Sequence, residues 1–187
     1  NGAAVLMNPV SGEILAMASH PGFDANNLDQ TWSNLVEDKS SPLLNRAALG
    51  RYPTGDLTNK LFPEGLPVYG LDQDIPIRLP TGAPPSPDDT QPSLSPLQVA
   101  LAASTLSADG VRPAPQLVSA VNTPLAGWVL LPAESSPVQV LSPEIASDRL
   151  SSLVTSNPNI WETIQTASKD TESETTWYVG GSTPNGS

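Results

Sequence analysis

Cysteine is absent from this 187-residue chain. That excludes any disulfide framework and any thiolate metal site, and it leaves the redox compartment open. Histidine occurs once, at His20; with no second imidazole or thiol to join it, His20 reads as a turn residue rather than a ligand. Basic residues are scarce, 8 Lys plus Arg against 19 Asp plus Glu, for a net charge of −11. A surface of that sign repels phosphate backbones and anionic lipid, which argues against nucleic acid and membrane surfaces as partners. No run approaches the ~18 apolar residues of a spanning helix. No signal peptide is recognisable, and the chain opens at Asn1 without an initiator Met, so it reads as a piece of a longer protein.

What is present is a hydrophobic fraction of 38%, enough for one folded domain over 1–187, together with 21 prolines. The prolines cluster at 63–96 and 113–143 and predict extended or looped paths there, with 61–93 as an ordered meander. Ala3–Met7 and Glu13–Ser19 are apolar runs around the turn residues Asn8-Pro9-Val10-Ser11-Gly12. That pattern predicts a β-hairpin, and its apolar character on nearly every residue predicts strands covered on both faces. A short helix is expected around Trp32–Glu37. The strongest helix signal covers 95–108: Ser95 as N-cap, Pro96 at the first position, Gln98 to close a capping box, and Gly110 for the left-handed residue beyond the end. Its apolar residues lie all round, so it should be buried. Strands are expected at Gln116–Val121 and Trp128–Leu131. A second helix should start from Ser142 and Pro143 and run to about Val154, and a last strand at Thr175–Val179 should close before Gly180-Gly181.

Taken in order, several segments resemble class B penicillin-binding proteins. Gly2-Ala3-Ala4-Val5-Leu6-Met7-Asn8-Pro9, then Ser11-Gly12-Glu13-Ile14-Leu15-Ala16-Met17-Ala18-Ser19, are similar to the first two strands of their transpeptidase domain. His20-Pro21-Gly22-Phe23-Asp24-Ala25-Asn26 continues the likeness. Ser41-Pro42-Leu43-Leu44-Asn45-Arg46-Ala47 and Gly50-Arg51-Tyr52-Pro53-Thr54-Gly55 resemble the approach to the family's nucleophile. Leu94-Ser95-Pro96-Leu97-Gln98-Val99-Ala100, Asp109-Gly110-Val111-Arg112-Pro113 and Trp177-Tyr178-Val179-Gly180 resemble later elements. The resemblance implies an α+β fold, an antiparallel sheet flanked by helices, in an extracytoplasmic protein of the bacterial envelope anchored through a segment outside this chain.

It also implies three catalytic motifs, and none is found. A Ser-x-x-Lys should follow Tyr-Pro-x-Gly, the Ser to attack a D-alanyl peptide carbonyl and the Lys to manage its proton. Asp56 stands there instead, and Lys60 falls one place late. Loss of a comparable nucleophile elsewhere costs roughly a millionfold, about 8 kcal/mol of barrier. The interval between Lys60 and Ser95 is too short for the helical subdomain that carries Ser-x-Asn; Leu71-Asp72-Gln73-Asp74-Ile75-Pro76-Ile77 resembles the segment that normally follows it. Aligning Thr166-Ala167 with the residues after the family's Lys-Thr-Gly puts Thr163, Ile164 and Gln165 at those three positions. The resemblance implies a truncated version of the domain, the sequence stopping at Ser187 before the family's last strand and C-terminal helix would be finished.

The resulting expectation is a non-catalytic module with vestigial positions Asp56, Lys60, Thr163, Ile164 and Gln165, no cofactor and no metal. Its partners would be other domains of the same protein and envelope proteins, with peptidoglycan peptide or glycan as further ligands. The alternatives are an active D,D-transpeptidase or carboxypeptidase with misaligned motifs, and a muropeptide- or glycan-binding module. Asp56 reads as a helix N-cap in place of the Ser and Lys60 as an exposed loop lysine. Asp72 with Asp74 on one strand face, and Asp88-Asp89, are weak candidates for a hard cation. Ser168-Lys169 lacks a third orienting group. The tryptophans 32, 128, 161 and 177 read as core anchors, with a glycan platform as the sharper alternative.

Overall fold

A computed structural model of the chain describes residues 1–86, 89, 91–168 and 174–183. In chain order the elements are β1 (Gly2–Met7), β2 (Ile14–His20), α1 (Leu28–Glu37), β3 (Tyr52–Pro53), α2 (Leu57–Leu61), β4 (Ser93–Leu94) and α3 (Pro96–Ser107). They are followed by β5 (Val111–Arg112), β6 (Ala120–Thr123), β7 (Gly127–Leu130), β8 (Val138–Gln139), α4 (Pro143–Ser151), β9 (Ile160–Ser168) and β10 (Glu174–Ser182). The fold is α+β.

The first hairpin forms because its turn satisfies itself. The Asn8 side-chain oxygen accepts from the amides of Val10 (2.9 Å) and Ser11 (3.1 Å), and Gly12 takes the left-handed conformation at φ +78°. β1 and β2 pair antiparallel from Gly2↔His20 inward. The expectation that both faces are covered is corrected: Met7 and Ile14 are buried, but Leu6 and Leu15 are each 59% exposed. The reason is that the sheet is not continuous. Among the described residues the strands form five separate two-stranded antiparallel ladders, β1-β2, β3-β4, β5-β8, β6-β7 and β9-β10.

α3 organises the interior. Ser95 caps it as the sequence implies: its hydroxyl accepts from the Gln98 amide (3.2 Å), and the Gln98 side chain accepts from the Ser95 amide (2.8 Å). Being apolar all round, the helix feeds two clusters. Leu97 and Leu101 pack with Met7, Ile14, Ile75 and Ile77. Val99, Ala102 and Leu106 pack with Leu57, Leu61, Phe62, Tyr69, Trp161 and Trp177. Each large side chain so buried contributes on the order of 1.5–3 kcal/mol.

The meander over 61–93 is ordered through side chains rather than strands. Phe62 and Tyr69 meet edge to face at 5.0 Å. The Tyr69 hydroxyl donates to Glu64 Oε2 (2.8 Å), whose other oxygen takes Nη2 of Arg149 on α4 (2.6 Å). Burial first, and then the Glu64 carboxylate, push the Tyr69 hydroxyl far above the ordinary tyrosine range. A raised folded-state value keeps its stabilisation below the unfolded value of about 10 and loses it as pH rises beyond that. The melting temperature is therefore expected to fall more steeply above about pH 10 in the native chain than in Tyr69→Phe; parallel alkaline profiles in thermal scans would remove the claim.

Four local expectations shift. β6 begins at Ala120, not Gln116, because Gln116 bridges to Glu13 and sends its side-chain amide to the Leu131 carbonyl (2.7 Å). β10 runs through the two glycines to Ser182, because Gly181 backs onto Ser107 and Trp161 with no room for a Cβ. α4 ends at Ser151, short of Val154, which instead bridges to Trp161. Trp161 and Trp177 are core residues, but Trp32 (53% exposed) and Trp128 (73%) are not; they stand on α1 and on the outlying β6-β7 hairpin.

Candidate functional site

The segment resembling the approach to a nucleophile is held from two sides. β3 pairs with β4, Tyr52↔Leu94 and Pro53↔Ser93. Buried Thr54 donates its hydroxyl to the Pro92 carbonyl (2.8 Å). From the other side β10 supplies Trp177, whose indole N–H donates to the Pro53 carbonyl (2.8 Å) and whose ring meets Tyr52 edge to face at 6.2 Å. Burial pushes the Tyr52 hydroxyl up, against the opposing pull of the Arg46 charge. Gly55 lies at φ +51°, and a Cβ there would come within 2.9 Å of Ala167 Cβ on β9. The loop 52–55 is thus clamped between β4 and the β9-β10 hairpin, and it delivers residue 56 to the start of α2 beside β9.

Asp56 sits at the N-cap position of α2 in helical geometry, φ −76° and ψ −1°, and its side chain makes no capping hydrogen bond. The expected capping role is corrected accordingly: an N-cap that caps through its side chain has extended backbone. Asp56 is exposed. Lys60 is helical rather than a loop residue, and its Nζ donates to Thr163 Oγ1 at 2.8 Å, 103 residues away in sequence. The structure therefore joins Lys60 and Thr163, two of the positions singled out in the sequence. Thr163 is 5% exposed and faces α2, whereas Ile164 turns outward at 63%. Gln165 returns to the inner side with its amide 3.5 Å from Thr163 Oγ1. This alternation is the pleat of β9 acting on three consecutive residues.

The cation candidates do not assemble. Asp72 and Asp74 lie in irregular chain, not on a strand. Asp89 Oδ1 accepts from the Gln91 amide (3.0 Å) in a local turn, and Asp88 lies outside the described residues. Lys169 also lies outside them, so the Ser168-Lys169 pair has no described geometry. Among the described residues no group of three or more His, Asp or Glu side chains converges as a metal site. His20 is the exposed last residue of β2.

Sequence reasoning missed the contacts that make this arrangement specific, namely Gly55 on Ala167, Trp177 on Pro53 and Lys60 on Thr163. All three join segments more than a hundred residues apart, and no local pattern announces such pairs.

Residues 2–62 match the family model described as the penicillin binding protein transpeptidase domain. That stretch holds the first hairpin, the clamped loop and α2, and over it the chain is similar to a penicillin-binding-protein transpeptidase domain. Over 62 residues the chain is 42% identical to the peptidoglycan D,D-transpeptidase PbpA of Mycolicibacterium smegmatis, a stretch that covers 29% of this chain and 13% of that protein. The D,D-transpeptidase domain of a peptidoglycan glycosyltransferase from Eggerthella lenta superposes with a TM-score of 0.73 at 19% identity, over 96% of this chain and 69% of that one. Penicillin-binding protein A from M. tuberculosis, in an imipenem acyl-enzyme complex, gives 0.73 at 20%, over 96% and 65%. At those identities the solved structures speak for the fold.

Proposed function

We propose that this chain is a non-catalytic transpeptidase-like domain of a bacterial envelope protein, working by contact with neighbouring domains and envelope proteins on the extracytoplasmic side. One observation carries this reading. Where the resemblance calls for a nucleophilic serine, the clamped loop presents the exposed carboxylate of Asp56, and the one lysine on α2 is tied to Thr163 rather than to a residue at the helix start. A carboxylate attacking an acyl donor yields a labile anhydride, not a stable acyl-enzyme. Treatment with excess benzylpenicillin is expected to leave the intact mass unchanged. A single stoichiometric adduct sinks the proposal.

The Lys60–Thr163 contact favours a second reading, an acyl-transfer enzyme in which Thr163 is the nucleophile and Lys60 its base. Against it, Thr163 is 5% exposed on a strand, leaving no approach for a peptide carbonyl. Peptide mapping separates the readings, because this one places the adduct on Thr163. The third reading, a glycan platform, needs two tryptophans on one surface. Trp161 and Trp177 are buried, and Trp32 and Trp128 stand on different elements. Heat evolved in a calorimetric titration with muropeptide fragments is the result that would restore it.

A further inference from the structure

Helix α1 stands apart from the core. None of its ten residues is buried. Among the described residues, the one element it packs on closely is the 3-10 turn Ala25–Asn27 that leads into it. Its sequence is nonetheless that of a helix built to be covered. Leu28, Trp32, Leu35 and Val36 recur at spacings of four, seven and eight, which puts them on one stripe, with Gln30, Asn34 and Glu37 on the opposite face. Leu28 and Leu35 are partly buried, while Trp32 and Val36 are each more than half exposed. Single exposed apolar residues are ordinary, but an aligned pair on a short helix is not scatter. A helix of this length draws most of its stability from packing its apolar face, so a bare stripe points to cover supplied from outside.

Charge indicates what supplies it. The excursion from Gly22 to Pro42 carries Asp24, Asp29, Glu37 and Asp38 against one base, Lys39. Neither ion pair among the described residues uses any of them. Asp29 borders the stripe beside Val36. Glu37 and Asp38 fall at the C-terminal end, where the helix dipole is already negative, and no base lies in the last turn. Carboxylates there are unfavourable for the helix by itself and become favourable when a cation is brought to them.

The root of the excursion is apolar too. The chain leaves at Phe23 and returns at Pro42, and both line a notch of about 240 Å³ together with Met17, Leu43 and Leu44. A three-turn stripe of ~15 Å is short for an interface, and the walls of the notch extend it.

We propose that α1 is the docking face for an amphipathic helix of a partner envelope protein. The partner's apolar stripe covers Trp32 and Val36, and its Lys or Arg residues meet Asp29, Glu37 and Asp38. This docking face deepens the contact-module reading and rests on it. Acylation by benzylpenicillin would end that reading without bearing on how α1 is built, whereas a failed peptide titration would end this one and leave Asp56 as it stands.

The probe is the synthetic helix Leu-Lys-Lys-Leu-Leu-Lys-Lys-Leu-Lys-Lys-Leu-Leu-Lys, set beside a shuffled peptide of the same composition and a version with Glu for every Lys. Calorimetric titration into the native chain is expected to show the first binding about tenfold more tightly than the shuffled peptide, and the Glu version not binding. The double variant Trp32→Ser with Val36→Ser, at sites already exposed in the fold, is expected to weaken binding by about tenfold or more. Neutralising the acids, Asp29→Asn with Glu37→Gln and Asp38→Asn, should weaken it and flatten its salt dependence. Trp128→Ser, on the β6-β7 hairpin, should leave it unchanged. Equal affinity for the shuffled peptide, or for the double variant, would mean that the net charge of −11 alone holds the peptide, and overturns the proposal. So does no binding. A native dimer in sedimentation that the double variant abolishes also overturns it, since the occupant would then be a second copy.

Discussion

Trp161→Ala is expected to be the most damaging single truncation in this chain, costing ~3–5 kcal/mol. Trp161 is 1% exposed, the largest of the fully buried side chains. Its indole N–H donates to Ser107 Oγ at 2.9 Å, joining β9 to the end of α3. Gly181 passes so close that a Cβ there would lie 3.0 Å from the indole nitrogen. Alanine would leave a cavity between a helix and two strands that cannot collapse without moving β10, and it would strand the buried Ser107 hydroxyl. For a chain of this size each kcal/mol lowers the melting temperature by ~2–4 °C, so a fall of roughly 6–20 °C is expected. Trp161→Phe separates the contributions: it keeps most of the apolar surface and loses the hydrogen bond, for about 1–3 kcal/mol. If calorimetry finds alanine costing under ~1 kcal/mol, the packing of β9 on α3 is wrong.

The second large effect is expected at Gly110, where conformation and space both forbid a side chain. Its φ is +81°, and a Cβ would sit 2.4 Å from the Leu141 carbonyl oxygen and 2.8 Å from its carbon. That carbonyl cannot swing aside cheaply. Gly110 receives the amides of Val140 (3.0 Å) and Leu141 (3.2 Å) on its own carbonyl, and its own amide donates to Thr105 at the end of α3 (2.9 Å). Gly110→Ala therefore has to break the β5-β8 junction or unwind the last turn of α3, and a loss above ~3 kcal/mol is expected. Gly127→Ala is the internal control. Its φ is +64°, but nothing lies within 4 Å of the added Cβ, so only the left-handed strain of ~1–2 kcal/mol remains. Denaturant midpoints for the two variants should differ clearly. Equal losses would show that the close approach of Leu141 to Gly110 is not rigid.

Much of the local structure was legible because it depends on near neighbours. Asn8 and Gly12 define the first turn through contacts within a few residues, and Ser95 with Gln98 defines the start of α3. The all-round apolar surface of α3 announces burial without saying against what. Burial of the β1-β2 hairpin was misread for the same reason. An apolar strand states that it can be covered, not that a neighbour is there; among the described residues β1 pairs only with β2. The extension of β10 through Gly180-Gly181 was missed because two glycines read locally as an end. In the fold they are what let the strand approach Trp161.

The candidate site divides in the same way. Residue order alone makes the position after Tyr52-Pro53-Thr54-Gly55 a carboxylate, puts Lys60 out of step with it, and leaves no cysteine or second histidine to take over the chemistry. Those are statements of residue identity and spacing, and no fold alters them. Long-range packing is what clamps the loop 52–55 between β4 and the β9-β10 hairpin, brings Lys60 to Thr163, and leaves Asp56 exposed with no capping hydrogen bond from its side chain. Each depends on a contact between segments far apart in the chain. Such contacts are selected by how α3 gathers helices and strands around itself, and they leave no signature in any short stretch of residues.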